Sequence, residues 1–266
     1  MADIVTLEVK DHIGFVTFNR PEKYNALSHE MIGKIIETGE KVMEDKSIRV
    51  VVLSGNGKGF CAGLDMENFQ KMADGDDKLE LFARAYNTPA NKAQQVGWVW
   101  KQVPVPVIAA LHGVAFGGGL QIALGADIRL AAPGTRFSVM EIKWGLIPDM
   151  SITQTLCDLV RLDVAKELTF TGRIVEAKEA AELGLITRVA EDPLSEATAM
   201  AKLIASKNPD AISRDKQLLE SAWRAGAAKG MLIEESLQRE IIATPNQIEA
   251  VMAEFEKRDP KFTDRF

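Results

Sequence analysis

The chain has 266 residues, of which 46% are hydrophobic and 26% are charged, and its formal net charge is −6 at pH 7. This balance predicts a globular protein with a sizeable core and excludes an intrinsically disordered chain. The mild acidity gives no general attraction to nucleic acid or to anionic membranes, so any anionic ligand has to be held by local groups.

The cysteine content and the N-terminal segment predict a reducing compartment. Cys61 and Cys157 are too few for a disulfide framework, and Cys61 is interpreted as a small semi-buried residue rather than a nucleophile. The N-terminal residues have no basic segment before an apolar run, and no apolar stretch approaches transmembrane length. We therefore expect a cytoplasmic protein, or one in an organelle matrix after processing of a longer precursor.

The first part of the chain alternates strand and helix patterns. Two short runs of β-branched and apolar residues, 3–9 and 13–18, predict a hairpin. Ser28 can cap a helix over 29–45, where apolar residues recur at helical spacing. The continuous apolar run over 49–55 then predicts a buried strand.

The middle of the chain contains the most informative segment. Residues 66–102 predict two helices with a join around 74–77, and the second ends before Pro104. Segment 107–132, VIAALHGVAFGGGLQIALGADIRLAA, predicts a strand, a glycine-rich bend, a helix and another strand. Because that helix is apolar almost all round, we expect it to be central. Segment 137–150 predicts a strand followed by a loop.

The last part of the chain changes from a mixed pattern to a helical one. Helices are predicted over 151–160 and 162–170, and a strand, helix and strand over 171–190. From about 195 no strand pattern remains, and four helical stretches run to the C-terminus. Such helices cannot bury their apolar faces alone. We therefore predict a mixed α/β body over 1–195 and a helical segment over 196–266 that packs on the body or on another subunit.

Several kinds of site are disfavoured by the sequence. The loop GNGKGF over 55–60 resembles a dinucleotide-binding fingerprint, but Phe60 stands where the third glycine is needed. The three histidines share no metal-ligand spacing, and there is no G-x-S-x-G motif of a serine hydrolase. We therefore expect neither a metal nor a nicotinamide cofactor.

Two glycine-rich loops and two acidic residues are the remaining candidates for chemistry. Each loop follows a strand and precedes a helix, an arrangement that aims free backbone N–H groups at one point and suits an oxyanion. Glu141 and Asp149 flank Trp144, Gly145 and Pro148. Apolar neighbours could raise a carboxyl pKa until the group serves as a base near neutrality.

Together these motifs resemble the crotonase superfamily, which includes enoyl-CoA hydratases and isomerases. The segments that carry the resemblance are, in order, FNRPEKYNALS, KGFCAGLDM, PVIAALHGVAFGGGLQIALGADIRLAA, FSVMEIKWGLIPD and FEKRDPKF. The resemblance implies an α/β fold of the ClpP/crotonase type, a spiral of ββα turns with a C-terminal helical trimerisation segment. It also implies a homotrimer or a dimer of trimers.

The resemblance further implies how an acyl-CoA thioester binds. Its carbonyl oxygen would accept hydrogen bonds from the N–H groups of Ala62 and Gly118, which would form an oxyanion hole. Other residues would bind the CoA moiety or the substrate, namely Lys23, Ala26, Gly63, Leu64, Asp65, Gln121 and Lys257. Coenzyme A arrives as part of the substrate, so no separate cofactor is expected.

The acidic residues decide which reaction of the family is expected. Enoyl-CoA hydratases carry two glutamates, and this chain has Gln121 at the first position and Glu141 at the second. An amide can orient a water but cannot take its proton. Asp149 matches the catalytic aspartate of dienoyl-CoA isomerases and the nucleophilic aspartate of 4-chlorobenzoyl-CoA dehalogenase. The dienoyl isomerases have an aspartate where Gln121 stands, so that match is incomplete.

Double-bond isomerisation of an enoyl- or dienoyl-CoA by Asp149 or Glu141 is the favoured prediction. One alternative is a hydratase in which Glu141 works with a water held by Gln121 or Asp149. A second is a dehalogenase-like thioester enzyme with Asp149 as nucleophile, and a third is a non-catalytic CoA-binding protein. The segment 66–102 is predicted to line the acyl pocket, but the sequence does not identify the acyl chain.

Overall fold

The computed structural model describes residues 3–66, 81–84 and 88–266 of the chain, and within these ranges nine strands form two sheets. The strands of the larger sheet are β1 Val5–Lys10, β2 Ile13–Phe18, β3 Val50–Gly55, β4 Val107–Leu111, β6 Ile128–Ala131 and β9 Arg188–Val189. They follow one another across the sheet in the order β1-β2-β3-β4-β6-β9. The hairpin β1–β2 is antiparallel, and each later pair is parallel.

The smaller sheet stands beside the larger one and carries the glycine-rich bend. Its strands are β5 Val114–Phe116, β7 Arg136–Ser138 and β8 Val175–Glu176. β5 pairs with β7 in parallel, and β7 pairs with β8 antiparallel. A single bridge between Cys61 and Ala115 ties the loop after β3 to this sheet. The bridge therefore brings the first glycine-rich loop next to the second.

Helices follow most strands of the body and make up the C-terminal part. In the described ranges they are α1 His29–Glu44, α2 Lys92–Gln102, α3 Gly118–Leu124, α4 Ile152–Thr155, α5 Leu162–Thr171, α6 Ala177–Leu183, α7 Pro193–Ala205, α8 Pro209–Ala222, α9 Ala227–Ile241 and α10 Pro245–Glu256. Ser28 accepts a hydrogen bond from the Met31 N–H and caps α1, as the sequence predicts.

The central strands are buried on both faces, which explains their uninterrupted apolar sequence. On β3, Val51 and Leu53 join the main core, which α1 and α2 complete. Val50 and Val52 face the other way and pack against a second core that includes Ala197 of α7. Small alanine side chains let this helix lie close to the sheet.

The predicted boundary at 195–196 falls inside α7, because that helix begins at Pro193 and packs on the sheet. Helices α8 to α10 carry large apolar side chains on their outer faces. Phe255 of α10 is 77% exposed in the single chain, and Trp223, which directly follows α8, is 72% exposed. The division into a core and an oligomerisation segment, and the trimer itself, stay predictions.

Most predicted elements are confirmed, with two qualifications. The helix predicted over 151–160 is interrupted, because α4 ends at Thr155 and a 3-10 turn Leu156–Asp158 follows. Of the two helices predicted within 66–102, the second is confirmed as α2. The first, with the join around 74–77, lies outside the described residues. Among the described helices none has the length and apolar character needed to cross a bilayer.

Candidate active site

A cavity of about 750 Å³ opens between the two glycine-rich bends and the loop after β7. Every residue predicted for the site lines it except Lys257, which lies at the C-terminal end of α10. The predicted residues in the lining are Lys23, Ala26, Ala62, Gly63, Leu64, Asp65, Gly118, Gln121, Glu141 and Asp149. The sequence therefore identifies a set of residues that folding brings together.

The loop before α1 is fixed against the first bend by buried polar groups. The Asn25 side chain donates to the carbonyl oxygens of Asn56 and Gly59, at 2.9 and 3.0 Å. Arg20 forms a part-buried ion pair with Asp65 at 3.0 Å. Buried side-chain hydrogen bonds of this kind hold a loop in one conformation. This side of the cavity is therefore well ordered.

The structure corrects one of the two predicted oxyanion-hole donors. The Ala62 N–H donates to the Tyr24 carbonyl oxygen at 2.9 Å, so it is not available to a ligand. The next N–H groups differ, because the short parallel pairing of Leu27 with Leu64 uses the Gly63 carbonyl and the Asp65 N–H. Within the described ranges the Leu64 N–H donates to no group. Leu64, predicted only as a binding residue, therefore supplies the available donor of this bend.

The second bend presents the other donor at the start of α3. Gly117 has a φ of 50°, in the left-handed region that favours glycine, and Gly118 begins the helix. In the described part of the chain the Gly118 N–H also donates to no group. A Cβ atom on Gly63 would lie 3.6 Å from this nitrogen. The two available N–H groups are therefore on backbone segments in contact.

Glu141 lies beside these donors, at the start of a 3-10 turn Glu141–Trp144 that follows β7. Its Oε1 accepts a hydrogen bond of 2.6 Å from Gln121 Nε2. Its Oε2 is buried and has no hydrogen-bond partner among the described residues. A Cβ atom on Gly117 would lie 3.2 Å from Oε1. One carboxylate oxygen is thus anchored, and the other is left for a ligand.

Burial raises the pKa of both acidic residues. The pKa of Glu141 is raised mainly by loss of hydration and further by the negative charge of Asp149, while the Gln121 hydrogen bond opposes the rise. Burial likewise raises the pKa of Asp149. A carboxylate with a raised pKa takes up a proton more readily near neutral pH. Both groups are therefore suited to proton transfer.

Gln121 links the two acidic segments. Besides donating to Glu141, its side-chain oxygen accepts a hydrogen bond of 2.8 Å from the Met150 N–H. Gln121 is itself almost fully buried on α3. Both ends of its amide are therefore engaged, and the residue holds the 141–150 loop against the helix. The Gln121 amide nitrogen has a second N–H, so a water held by Gln121 stays a prediction.

The remaining wall of the cavity is largely apolar. The described part of the segment 66–102 contributes Met66, Leu81, Phe82, Asn91, Ala93 and Gln94 to this wall, and that the wall holds the acyl chain stays a prediction. The loop after β7 adds Met140, Trp144, Leu146 and Ile147, and Met150 follows. Asn91 and Gln94 were not singled out from the sequence. Their polar pattern at a helix start is the signal that could have identified them.

The two cysteines lie in different surroundings. Cys61 is fully buried under the first bend, where its thiol donates to the Asn25 carbonyl oxygen at 3.1 Å. Burial raises the pKa of this thiol to about 12. Cys157 is exposed in the 3-10 turn after α4, beside Arg224. Cys61 therefore contributes packing rather than a nucleophile.

Comparison with known proteins identifies this architecture. The family model described as enoyl-CoA hydratase/isomerase matches residues 8–265. The chain is 34% identical over 261 residues to an (E)-benzylidenesuccinyl-CoA hydratase of Thauera aromatica, covering 97% of this chain and 98% of that one.

Solved structures agree with that match. The crystal structure of an enoyl-CoA hydratase from Bacillus anthracis is similar with a TM-score of 0.86 and 28% identity, over 98% of this chain and 99% of that chain. One from Mycobacterium tuberculosis gives a TM-score of 0.85 and 27% identity, over 98% of both. These likenesses confirm the α/β fold predicted from the sequence.

Proposed function

The chain belongs to the enoyl-CoA hydratase/isomerase family and is an enzyme, and from this premise we propose that it isomerises the double bond of an enoyl- or dienoyl-CoA. Glu141 carries the proton between two carbon atoms. The N–H groups of Leu64 and Gly118 stabilise the thioester oxygen as it becomes negatively charged. The reaction needs no cofactor beyond the coenzyme A of the substrate.

The observation that carries this proposal is the position of Glu141 Oε2. This oxygen is buried without a partner among the described residues and belongs to a residue that lines the cavity, while Oε1 is anchored by Gln121. A buried acceptor normally has a hydrogen-bond partner, so such an oxygen indicates a place where a reacting atom binds. One carboxylate that can reach two carbons is sufficient to remove a proton and to return it.

The proposed isomerisation moves one proton and one double bond within the substrate. Glu141 Oε2 takes a proton from the carbon next to the conjugated system, and the electrons of that C–H bond form a new C=C bond. The π electrons move onto the thioester oxygen, where Leu64 and Gly118 donate to it. The protonated Glu141 then gives its proton to another carbon, and the carbonyl re-forms. The double bond has moved, and nothing has been added.

The CoA moiety is proposed to lie on the opposite side of the donors from the acidic residues. Lys23 and Ala26 line the cavity on the loop that precedes α1, and Asp65 fixes that loop through Arg20. In a trimer or a dimer of trimers, Lys257 would bind phosphate groups of a CoA held by a neighbouring subunit. The exposed apolar faces of α8 to α10 supply the surface for such an assembly.

Hydration is the second candidate. Relatives named as hydratases favour it, and so does the presence of a second carboxylate in the cavity. In this case Glu141 would act on a water held by Gln121 or by Asp149, both of which line the cavity. Two carboxylates flanking a water could serve as base and acid.

The test is a panel of enoyl- and dienoyl-CoA thioesters incubated in D2O and followed by ultraviolet absorbance and mass. Isomerisation shifts the ultraviolet spectrum without addition of a water, and deuterium enters the substrate where the proton on Glu141 exchanges with solvent before it is returned. Hydration adds the mass of one water. Glu141→Gln should abolish either change, whereas Glu40→Gln, on the exposed face of α1, should alter neither. Activity retained in Glu141→Gln would contradict the proposed role of Glu141.

A further inference from the structure

Gln94 is a polar side chain of the cavity that the proposed reaction does not use. It is the third residue of α2 and lines the cavity. Gly97 follows three residues later, on the same helix face. A Cβ atom on Gly97 would lie 2.6 Å from the Met150 carbonyl oxygen and 3.3 Å from that of Gln121. Gln94 therefore lies one helical turn from the segment that carries Asp149, on the acidic side of the cavity.

The start of α2 fixes the orientation of the Gln94 amide. Its Oε1 accepts from the Asn91 N–H at 2.9 Å, and its own N–H donates to Asn91 Oδ1 at 2.9 Å, which together form a capping box. Because a backbone N–H requires an acceptor, the box determines that the side-chain oxygen faces Asn91. Nε2 then carries the two unused protons. Among the described residues, Nε2 donates to no group.

The surroundings of this donor are mainly apolar. Large apolar side chains line the cavity together with Gln94, namely Leu81, Phe82, Trp144 and Ile147. A purely hydrocarbon acyl chain placed there would cover the amide without accepting its hydrogen bond, and a buried donor left unpaired weakens binding. An acyl chain with an oxygen at that position would satisfy it.

We propose that Gln94 is a specificity-determining residue that selects CoA thioesters whose acyl part carries a carbonyl, hydroxyl or carboxylate oxygen beyond the reacting carbons. Gln94 Nε2 donates to that oxygen, and the capping box holds it in place before the substrate binds. The inference rests on the proposed function for the identity of the thioester site. It adds the chemical class of the acyl group.

The test measures binding, so that it does not depend on turnover. A series of saturated acyl-CoA thioesters of equal length, with one keto oxygen moved along the chain, is compared with the unsubstituted thioester by calorimetry. We expect one member to bind wild-type protein roughly tenfold more tightly than the parent, the scale of one directed hydrogen bond. If no member binds more tightly than the parent, the inference is overturned.

Gln94→Glu is the informative variant. Glutamate at this position keeps the acceptor for the Asn91 N–H, so the capping box and the helix start are retained. An ionised carboxylate has no proton to donate, so the preference for the keto thioester should disappear. A preference that persists in Gln94→Glu would assign the selection to another group and overturn the inference.

Gln95→Glu is the matched control. Gln95 makes its side-chain hydrogen bonds to Thr88 and Gln102 and is not part of the cavity lining. The same chemical change there should leave the tenfold preference intact. The change in ultraviolet absorbance of an unsubstituted enoyl-CoA with wild-type protein, at unchanged mass, tests the proposed function separately. Failure of isomerisation and failure of oxygen selection are therefore seen in different measurements.

Discussion

The two sides of the cavity are built from different parts of the chain. One side is main chain, where Leu64 and Gly118 present N–H groups on bends packed against each other. The other side consists of side chains, those of Glu141 and Asp149, which lie on a loop whose outer residues are exposed. Gln121 is the residue that joins that loop to the buried helix α3.

Because of this difference, the groups proposed to bind the substrate are backbone N–H groups, and the groups proposed to react with it are side chains. The donors cannot be moved without disturbing the contact of two backbone segments, because a Cβ atom on Gly119 would overlap the Cys61 carbonyl. The acidic residues can be exchanged for amides of the same shape with little change in packing. Substitutions on the first side should therefore affect folding and activity together, and those on the second should affect activity far more than stability.

The largest effect is expected for Glu141→Gln. The amide cannot accept a proton, and loss of a general acid–base group lowers turnover by about a thousandfold. Because the shape is retained, thermal unfolding should stay cooperative. Single-turnover kinetics with an enoyl-CoA that the wild-type protein isomerises measures the loss. A rate within threefold of wild type would show that the proton is carried elsewhere.

Gly63→Ala should weaken both the fold and the reaction. Gly63 has a φ of 89°, and an added Cβ would lie 2.7 Å from the Phe116 carbonyl oxygen. We expect a loss of about 2 kcal/mol in the free energy of unfolding, from overpacking and an unfavourable φ. Turnover should fall about a hundredfold as the Leu64 N–H moves.

Gly33→Ala is the control for this prediction, since no atom lies within 4 Å of a Cβ built there and the residue is inside α1. That substitution should stabilise the protein slightly, because alanine favours a helix more than glycine does. Urea unfolding of both variants makes the comparison. Equal stability of Gly63→Ala and wild type would mean that the bend has more freedom than its contacts indicate.

Asp149→Asn should have a smaller effect on rate and a diagnostic effect on pH dependence. Glu141 must be ionised to accept a proton, so kcat/KM falls as the pH drops through its pKa. The charge of Asp149 raises that pKa, and its removal should move the acidic limb to lower pH. We expect about a tenfold lower kcat, measured across pH 4 to 9. An acidic limb at an unchanged pH would show that the charge of Asp149 does not affect the pKa of Glu141.

The smallest effect is on stability and again concerns Glu141. Burial raises its pKa in the folded protein above the ordinary value of 4.5. The folded state therefore keeps this proton over a pH range in which the unfolded chain has lost it, and the associated stability is lost as the pH rises through the folded pKa.

Glu141→Gln lacks this titration. The melting temperature of the variant relative to wild type should therefore rise from pH 4.5 toward pH 7.5, by a few degrees. Differential scanning calorimetry at matched ionic strength provides the measurement. A constant difference would indicate that Glu141 has the same pKa in the folded and unfolded chains.

The sequence predicts most of the fold because its patterns are local. The apolar run that became β3 and the serine that caps α1 each determine their own element. The break after Thr155 was missed, because an apolar and polar pattern of helical spacing does not distinguish an α-helix from a 3-10 turn. The boundary predicted near 195 falls inside α7, whose small alanines pack on the sheet, and the division itself stays a prediction.

The sequence predicted which residues line the site, but it did not predict the hydrogen bonds that they form. Glu141 and Asp149 were singled out as acidic residues near the glycine-rich loops, and Gly118 through the family resemblance, and all three line one cavity. Ala62 was predicted as a donor through the resemblance, but its N–H is already paired, and a sequence motif does not tell which N–H is paired. Only the contact between the Tyr24 carbonyl and the Ala62 N–H, across 38 residues of chain, decides it.

The contrast between the two thiols has a practical consequence. The thiolate is the reactive form of cysteine, and a buried thiol with a pKa near 12 stays protonated and inaccessible to reagents. Cys157 is exposed and lies outside the cavity lining. A maleimide dye should therefore attach at one position in the native protein without any mutagenesis, which gives an optical reporter for assembly and unfolding that leaves the chemistry untouched.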